Sequence, residues 1–154
     1  MKTPTLEDLK KFKFKITSRV RMSQTDIEGI VNNIRYFDFI ETGRFEYFRD
    51  LGINYVQLKK LGTGMALANT SCSYLAPLYF DETIDIYTRV NYLGNSSFHM
   101  KYLIFVPERE SLVAEGKTVS VFINPKTRRP ETMPKDFRKT ITAFEGAGTV
   151  REKQ

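Results

Sequence analysis

Near the start of the chain, Phe12, Phe14 and Ile16 interleave with Lys11, Lys13 and Lys15. This period-two alternation predicts a half-buried strand over 12–22, with the lysines on its solvated face. The turn-rich run SQTDIEGIVNN, 23–33, interrupts it. Over 33–51 the period lengthens to that of a helix. On a helical wheel Arg35, Asp38, Thr42, Glu46, Arg49 and Asp50 gather on one side, while Ile34, Phe37, Ile40, Phe45, Tyr47, Phe48 and Leu51 fill the rest. The apolar arc is wide, so a mostly buried helix of roughly 27 Å is expected, with Gly52 as its C′ residue. Glu41 falls within that arc between Phe37, Phe45 and Phe48, where a carboxylate must find partners or protonate.

Residues 54–61 predict a short second helix. The runs 64–77, 82–93, 97–106 and 112–123 read as strands, punctuated by Pro77, by the turn Gly94-Asn95-Ser96 and by NPKTRRP. From 134 onward a short helix at best is expected, then a frayed end. The order of strand, long helix and four strands joined by short turns predicts an α+β fold. An antiparallel sheet would wrap around one long central helix. No repeat or low-complexity segment appears. One domain is expected over 1–154, with its core at about 12–142.

Composition narrows the chemistry. The chain has 154 residues, 41% hydrophobic and 27% charged, as in a globular domain. Cys72 and His99 are the only residues of their kinds, which excludes an internal disulfide and leaves little for a Cys/His zinc site. No metal or cofactor is therefore expected. No apolar run is long enough to span a membrane, and the charged N-terminus shows no secretory signal, so a cytoplasmic location is expected. The net charge of +6 invites a nucleic acid, a membrane surface or an anionic substrate. No RNA- or DNA-binding motif accompanies it, so no nucleic-acid partner is expected. His99 alternates with Ser97 and Lys101 and is expected to point outward; Cys72, mid-strand, reads as a small apolar residue.

The loop before the helix carries the most information. Asp26 lies just upstream of the helix start, and Gly29 and Asn32-Asn33 suit a turn and a helix cap. A helix N-terminus presents unpaired N–H groups and the positive end of the dipole. A carboxylate beside free amides is the minimum an acyl-transfer site needs: one group to attack or to activate water, another to hold the oxyanion. A turn or capping role for Asp26 is the structural alternative.

The stretch from Arg21 to Asn33, with Tyr36 and Glu41-Thr42-Gly43-Arg44, resembles the 4-hydroxybenzoyl-CoA thioesterase-like branch of the hotdog superfamily. That branch carries T-D-x-x-G-x-V-N-N-x-x-Y followed by E-x-x-R. The likeness continues through Tyr74-Leu75-Ala76-Pro77, Asp81, Gly94 to Phe98, Ala114-Glu115-Gly116 and Arg129-Pro130, covering about 14–142.

The resemblance implies an acyl-CoA thioesterase of hotdog fold that pairs as a homodimer or homotetramer. It implies Asp26 as nucleophile or general base, the Asn33 backbone amide as oxyanion donor and Glu41 as a supporting carboxylate. Gly29, Asn32, Tyr36 and Phe37 would contact substrate. Many relatives place a His at the position of Ile30 or of Asn33, and this chain has neither. Aromatic-acyl relatives carry basic residues in the turn matching Gly94-Asn95-Ser96, where they hold CoA phosphates. Asn95 and Ser96 stand there in this chain, with Lys126, Arg128 and Arg129 as candidate substitutes. The alternatives are an acyl-carrier-protein thioesterase and a non-catalytic acyl-thioester or lipid-binding hotdog module. A hydratase with an Asp/His pair is disfavoured because His99 is far from Asp26 in sequence.

Overall fold

The computed structural model describes residues 3–148. Five strands, β1 (Phe14–Arg19), β2 (Gly64–Tyr74), β3 (Thr83–Leu93), β4 (Ser97–Val106) and β5 (Ser111–Ile123), form one antiparallel sheet in the order β1-β3-β4-β5-β2. The helices are α1 (Tyr36–Asp50), α2 (Tyr55–Lys60) and α3 (Lys135–Glu145). The fold class is α+β, as the sequence order predicts.

Two compact units emerge from the contacts. The first is Met1–Tyr47, Ser71–Arg89 and Tyr102–Gly116; the second is Phe48–Thr70, Val90–Lys101 and Lys117–Gln154. In the first, α1 lies against the strands. A Cβ built on Gly43 would meet the Thr88 Oγ1 at 2.7 Å and the Ile86 Cγ2 at 2.9 Å; one on Gly116 would meet the Ile40 Cδ1 at 2.6 Å. These two glycines are what let helix and sheet backbones approach, and Tyr36, Phe39, Ile84, Ile86, Ile104 and Val113 close the core around them. In the second unit Phe48, Phe98, Phe122 and Phe137 form a cluster with ring centroids 4.9–5.8 Å apart. Each such pair contributes roughly 0.5–1.5 kcal/mol beyond its buried area. Through Phe137 the cluster fixes α3.

Several boundaries differ from expectation. β1 is shorter than 12–22: Leu6–Lys11 forms a 3₁₀ helix before it, and after it the Arg21 N–H donates to Gln24 Oε1 at 2.8 Å, opening a 3₁₀ turn. α1 begins at Tyr36 because Asn33–Arg35 winds as 3₁₀, capped by Asn32, whose Oδ1 accepts from the Ile34 N–H at 3.0 Å. Gly52 ends it with φ +70°, as its C′ position requires. β2 stops at Tyr74 because the N–H groups of Leu75 and Ala76 both turn to the Val113 carbonyl. α3 is a full three-turn amphipathic helix that buries Phe137, Ile141 and Glu145, more than the short helix expected there.

The burial of α1 is a larger correction. Tyr36, Phe39, Ile40, Tyr47 and Phe48 are buried, whereas Ile34 and Phe45 are 64% and 40% exposed and Glu41 is exposed between them. The wide apolar arc is thus two strips, and Glu41 lies on the open one. Its carboxylate needs no buried partner, and it makes neither an ion pair nor a hydrogen bond among the described residues.

Gly43→Ala tests the close approach. Alanine is worth about 1 kcal/mol over glycine in a helix by propensity. Here overpacking against Thr88 and Ile86 of about 1–3 kcal/mol should win. Thermal unfolding is expected to show a Tm several degrees below wild type; an unchanged or higher Tm would mean α1 does not sit this tightly.

Candidate active site

The loop that holds Asp26 is a tight reversal built by local hydrogen bonds. Asp26 N–H donates to the Ile30 carbonyl at 2.9 Å and Gly29 N–H to the Asp26 carbonyl at 3.0 Å, with Gly29 at φ +76°. The Glu28 N–H donates to Asp26 Oδ1 at 2.9 Å. The carboxylate is half-buried, and its second oxygen makes no hydrogen bond among the described residues. The loop is tied down at its base, where Val31 N–H donates to the Leu78 carbonyl at 2.8 Å and Asn32 N–H to the Gln24 carbonyl at 2.9 Å.

An open pocket of about 390 Å³ lies beside it, lined by Asp26, Ile30, Asn33, Tyr36, Tyr74 and Pro77 among others. Three of the residues singled out in sequence, Asp26, Asn33 and Tyr36, therefore face one space. The Asn33 N–H, at the start of the helical segment, has no acceptor among the described residues. Its own carbonyl accepts from the Tyr74 hydroxyl at 2.8 Å, which fixes residue 33 on the pocket wall. Tyr74 lines the site too; the family likeness includes it in Tyr74-Leu75-Ala76-Pro77, but the sequence assigns it no site role. Its partner is 41 positions away, and no local pattern announces the contact. Tyr36 meets Tyr74 edge to face at 5.0 Å, and burial pushes its hydroxyl up to about 12, so it stays protonated at neutral pH. Gly29 and Asn32 build the turn and the cap and do not line the pocket; neither does half-buried Phe37 or exposed Glu41.

Arg109 stiffens the opposite wall. Its Nε reaches Glu82 at 2.6 Å and its Nη2 the Pro77 carbonyl at 2.6 Å. Burial works to raise the Glu82 carboxyl, but Arg109 and the Tyr79 N–H outweigh it and lower it. Cys72 packs against the core and burial pushes its thiol up to about 11, which leaves almost no thiolate at neutral pH.

The β3–β4 turn is held from the second unit's other segments. Phe122 N–H donates to the Ser96 carbonyl at 2.7 Å, Met133 N–H to the Asn95 carbonyl at 2.8 Å, and Arg138 of α3 to the Gly94 carbonyl. The sequence showed no basic residue in this turn, and Arg138 reaches it from 44 positions away. Lys126, Arg128 and Arg129 are exposed in a tight turn where Asn124 Oδ1 accepts from the N–H groups of Lys126 and Thr127. Arg128 has φ +61°, a conformation that costs a side-chain-bearing residue about 1–2 kcal/mol. His99 lies on the less buried face of β4, as expected. It is nonetheless half-buried, with its ring 4.7 Å from that of Tyr92.

The model of the thioesterase-like superfamily matches residues 20–141, and the chain belongs to that family. The acyl-CoA thioester hydrolase YbgC of Escherichia coli is 25% identical over 124 residues, covering 80% of this chain and 92% of that one. The acyl-acyl carrier protein thioesterase ATL3 of Arabidopsis thaliana is 25% identical over 126 residues, 82% of this chain and 66% of that one. The crystal structure of Slr0204, a 1,4-dihydroxy-2-naphthoyl-CoA thioesterase from Synechocystis, superposes with a TM-score of 0.78. It covers 83% of this chain and 94% of its own at 18% identity, a likeness of fold. The fold is the hotdog fold, and the class of chemistry is thioester hydrolysis. No helix among the described residues is long and apolar enough to cross a membrane.

His99 gives a pH signature. Burial lowers its pKa, so the folded chain holds the ring neutral below the ordinary value of about 6.5. Above that value both states are neutral and nothing is lost. As pH falls below it the unfolded chain takes up the proton first, and stability drops. Between pH 7.5 and 5.5 the Tm of wild type should fall more than that of His99→Gln; equal falls in both would remove His99 as the cause.

Proposed function

We propose that the chain hydrolyses acyl-CoA thioesters in the pocket beside Asp26. One observation carries the reading: the Asp26 carboxylate and the unpartnered Asn33 N–H line the same pocket, at the start of the long helix. The thioester carbonyl oxygen accepts from the Asn33 N–H, which gains strength as the oxygen becomes an oxyanion. The Asp26 oxygen left without a hydrogen bond takes a proton from water as the water oxygen bonds to the carbonyl carbon. Alternatively it attacks that carbon itself, and water then cleaves the mixed anhydride. Collapse of the tetrahedral intermediate breaks the C–S bond. The acid and the free thiol are the products, with one water consumed.

The lack of a His at Ile30 or Asn33 does not stop this route. A thiol with a pKa near 8.5 leaves as thiolate without a general acid, and the chain needs only a base and an oxyanion donor. Tyr36, protonated and buried, supplies a polar edge to an otherwise apolar wall. Glu41, exposed on the open strip of α1, is kept as a candidate of the complete assembly rather than of this pocket. Asn95, Ser96, Lys126, Arg128 and Arg129 are proposed contacts for the CoA end. Hydrolysis of an acyl-carrier-protein thioester is the second reading, favoured by the likeness to ATL3.

We also infer a homodimer. β2 is an edge of the sheet, and no charged residue occurs in 61–80, while Leu67 and Tyr74 are 48% and 47% exposed. Native edges are usually guarded by charge, as β1 is by Lys13, Lys15 and Arg19. A bare edge, together with the open apolar strip of α1, fits a second copy of the chain.

Asp26→Asn should lower kcat about 10²–10⁴-fold on acyl-CoA substrates, with KM changed far less. Wild-type thiol release from this variant, followed with a thiol reagent, would remove Asp26 from the mechanism. For the dimer, sedimentation should give the mass of two chains, and Ser71→Lys on β2 should shift it toward one. A wild-type chain that sediments at the mass of one chain would sink the assignment.

A further inference from the structure

Between β2 and β3 the chain runs from Leu75 to Glu82 outside the ladder of the sheet. Its ends are tied by backbone bonds. Leu75 and Ala76 N–H donate to the Val113 carbonyl; Val20 N–H donates to the Glu82 carbonyl at 3.0 Å, and Asp81 N–H to the Val20 carbonyl at 3.1 Å. Its middle carries the Asp26 loop. Val31 N–H donates to the Leu78 carbonyl at 2.8 Å, and Ile30 pairs with Tyr79 in a single antiparallel bridge. The Ile30 carbonyl in turn accepts from the Asp26 N–H at 2.9 Å. The course of 77–79 therefore sets where the Asp26 loop stands.

One ion pair fixes that course. Arg109 ends the 3₁₀ turn Pro107–Arg109 that follows β4. Its Nε donates to Glu82 Oε1 at 2.6 Å, and its Nη2 donates to Glu82 Oε2 at 3.1 Å and to the Pro77 carbonyl at 2.6 Å. Glu82 Oε2 also accepts from the Tyr79 N–H at 2.8 Å. A planar fork and its carboxylate thus pin Pro77, Tyr79 and Glu82 together, which a single ammonium could not do. Leu78, wholly buried, keeps the segment on the core in any case. The pair decides its path, not its presence. Neither Arg109 nor Glu82 lines the pocket.

We propose that Arg109 and Glu82 are positioning residues for the hydrolysis, a role that rests on the hydrolase reading above. Through Pro77, Leu78 and Tyr79 they hold the loop so that the Asp26 carboxylate stands where the thioester carbon arrives. Misplacing a reacting group by about 1 Å costs about 10²-fold in rate. A partly exposed ion pair, by contrast, adds little to global stability. The effect of the pair therefore falls on kcat rather than on folding.

The test is Arg109→Lys in the full chain, which keeps the charge and loses the fork. Its kcat on an acyl-CoA should fall about tenfold with KM changed less than about threefold, and Tm should move by no more than about 4 °C. Followed by NMR, the Val31 N–H should exchange with solvent about tenfold faster while the amides of β1 and β3 keep their rates. Lys15→Gln, which breaks the Lys15–Asp85 pair of the same unit, should change neither kcat nor Val31 exchange. An unchanged Val31 exchange overturns the proposal, and so does faster exchange with wild-type kcat. Amides of β1 and β3 that speed up together with Val31 overturn it too, because the pair would then serve only the fold. If wild type releases no thiol from any acyl thioester, the hydrolase reading fails, and Val31 exchange still decides whether the pair holds the loop. Should Arg109→Lys unfold, Glu82→Gln gives the same comparison, since it leaves one acceptor oxygen where three donors converge.

Discussion

The structure depends on how closely α1 can lie on the sheet. At Gly43 and Gly116 there is no room for even a methyl group: the nearest side-chain atoms stand 2.6–2.9 Å from where a Cβ would be. Side chains interposed between a helix and a sheet ordinarily hold the two backbones apart. Removing two Cβ atoms lets the helix sink, and that decides which of its residues reach the core. Tyr36, Phe39 and Ile40 do; Ile34, Glu41 and Phe45, on the far strip, do not. The helix start is fixed by the same contact, because Tyr36 is buried at once and Asn33 is three residues before it. The Asn33 N–H on the pocket wall is thus positioned by glycines ten residues and more away from it.

That dependence explains where the sequence was legible. Strands and helices followed from period two and period 3.6, because those patterns arise from residues near one another in the chain. The loop 26–33 was legible for the same reason: Asp26, Gly29 and Asn32 form a turn and a cap with their immediate neighbours. The burial of Glu41 was not. A helical wheel shows how much of a helix is apolar, but not whether one surface or two are meant to cover it. In α1 the sheet covers one strip, and the second apolar strip is open in a single chain.

Tyr74 and Arg138 escaped for a related reason. Each acts on a backbone carbonyl more than forty residues away, and a carbonyl carries no sequence signal. A family pattern transfers side chains at matching positions, so a turn without basic residues reads as a lost function. Here a guanidinium from α3 reaches that turn's Gly94 carbonyl, a contact the pattern does not carry. The tail from 134 was underestimated by the same logic, since α3 owes its length to Phe137 joining Phe48, Phe98 and Phe122, all remote in sequence.

The charge of the chain is unevenly divided: among the described residues the first unit holds 10 Lys and Arg against 13 Asp and Glu, the second 11 against 4. An unpaired cation beside a carboxylate stabilises its anionic form and makes it a poorer proton acceptor. In the unit that holds Asp26, Arg109, Arg19 and Lys15 pair with Glu82, Asp81 and Asp85, while Arg21, five residues before Asp26, makes no ion pair among the described residues. Among the described residues the two units sum to −3 and +7, so most of the chain's net +6 is the remainder of two environments of opposite sign rather than of a uniformly basic surface.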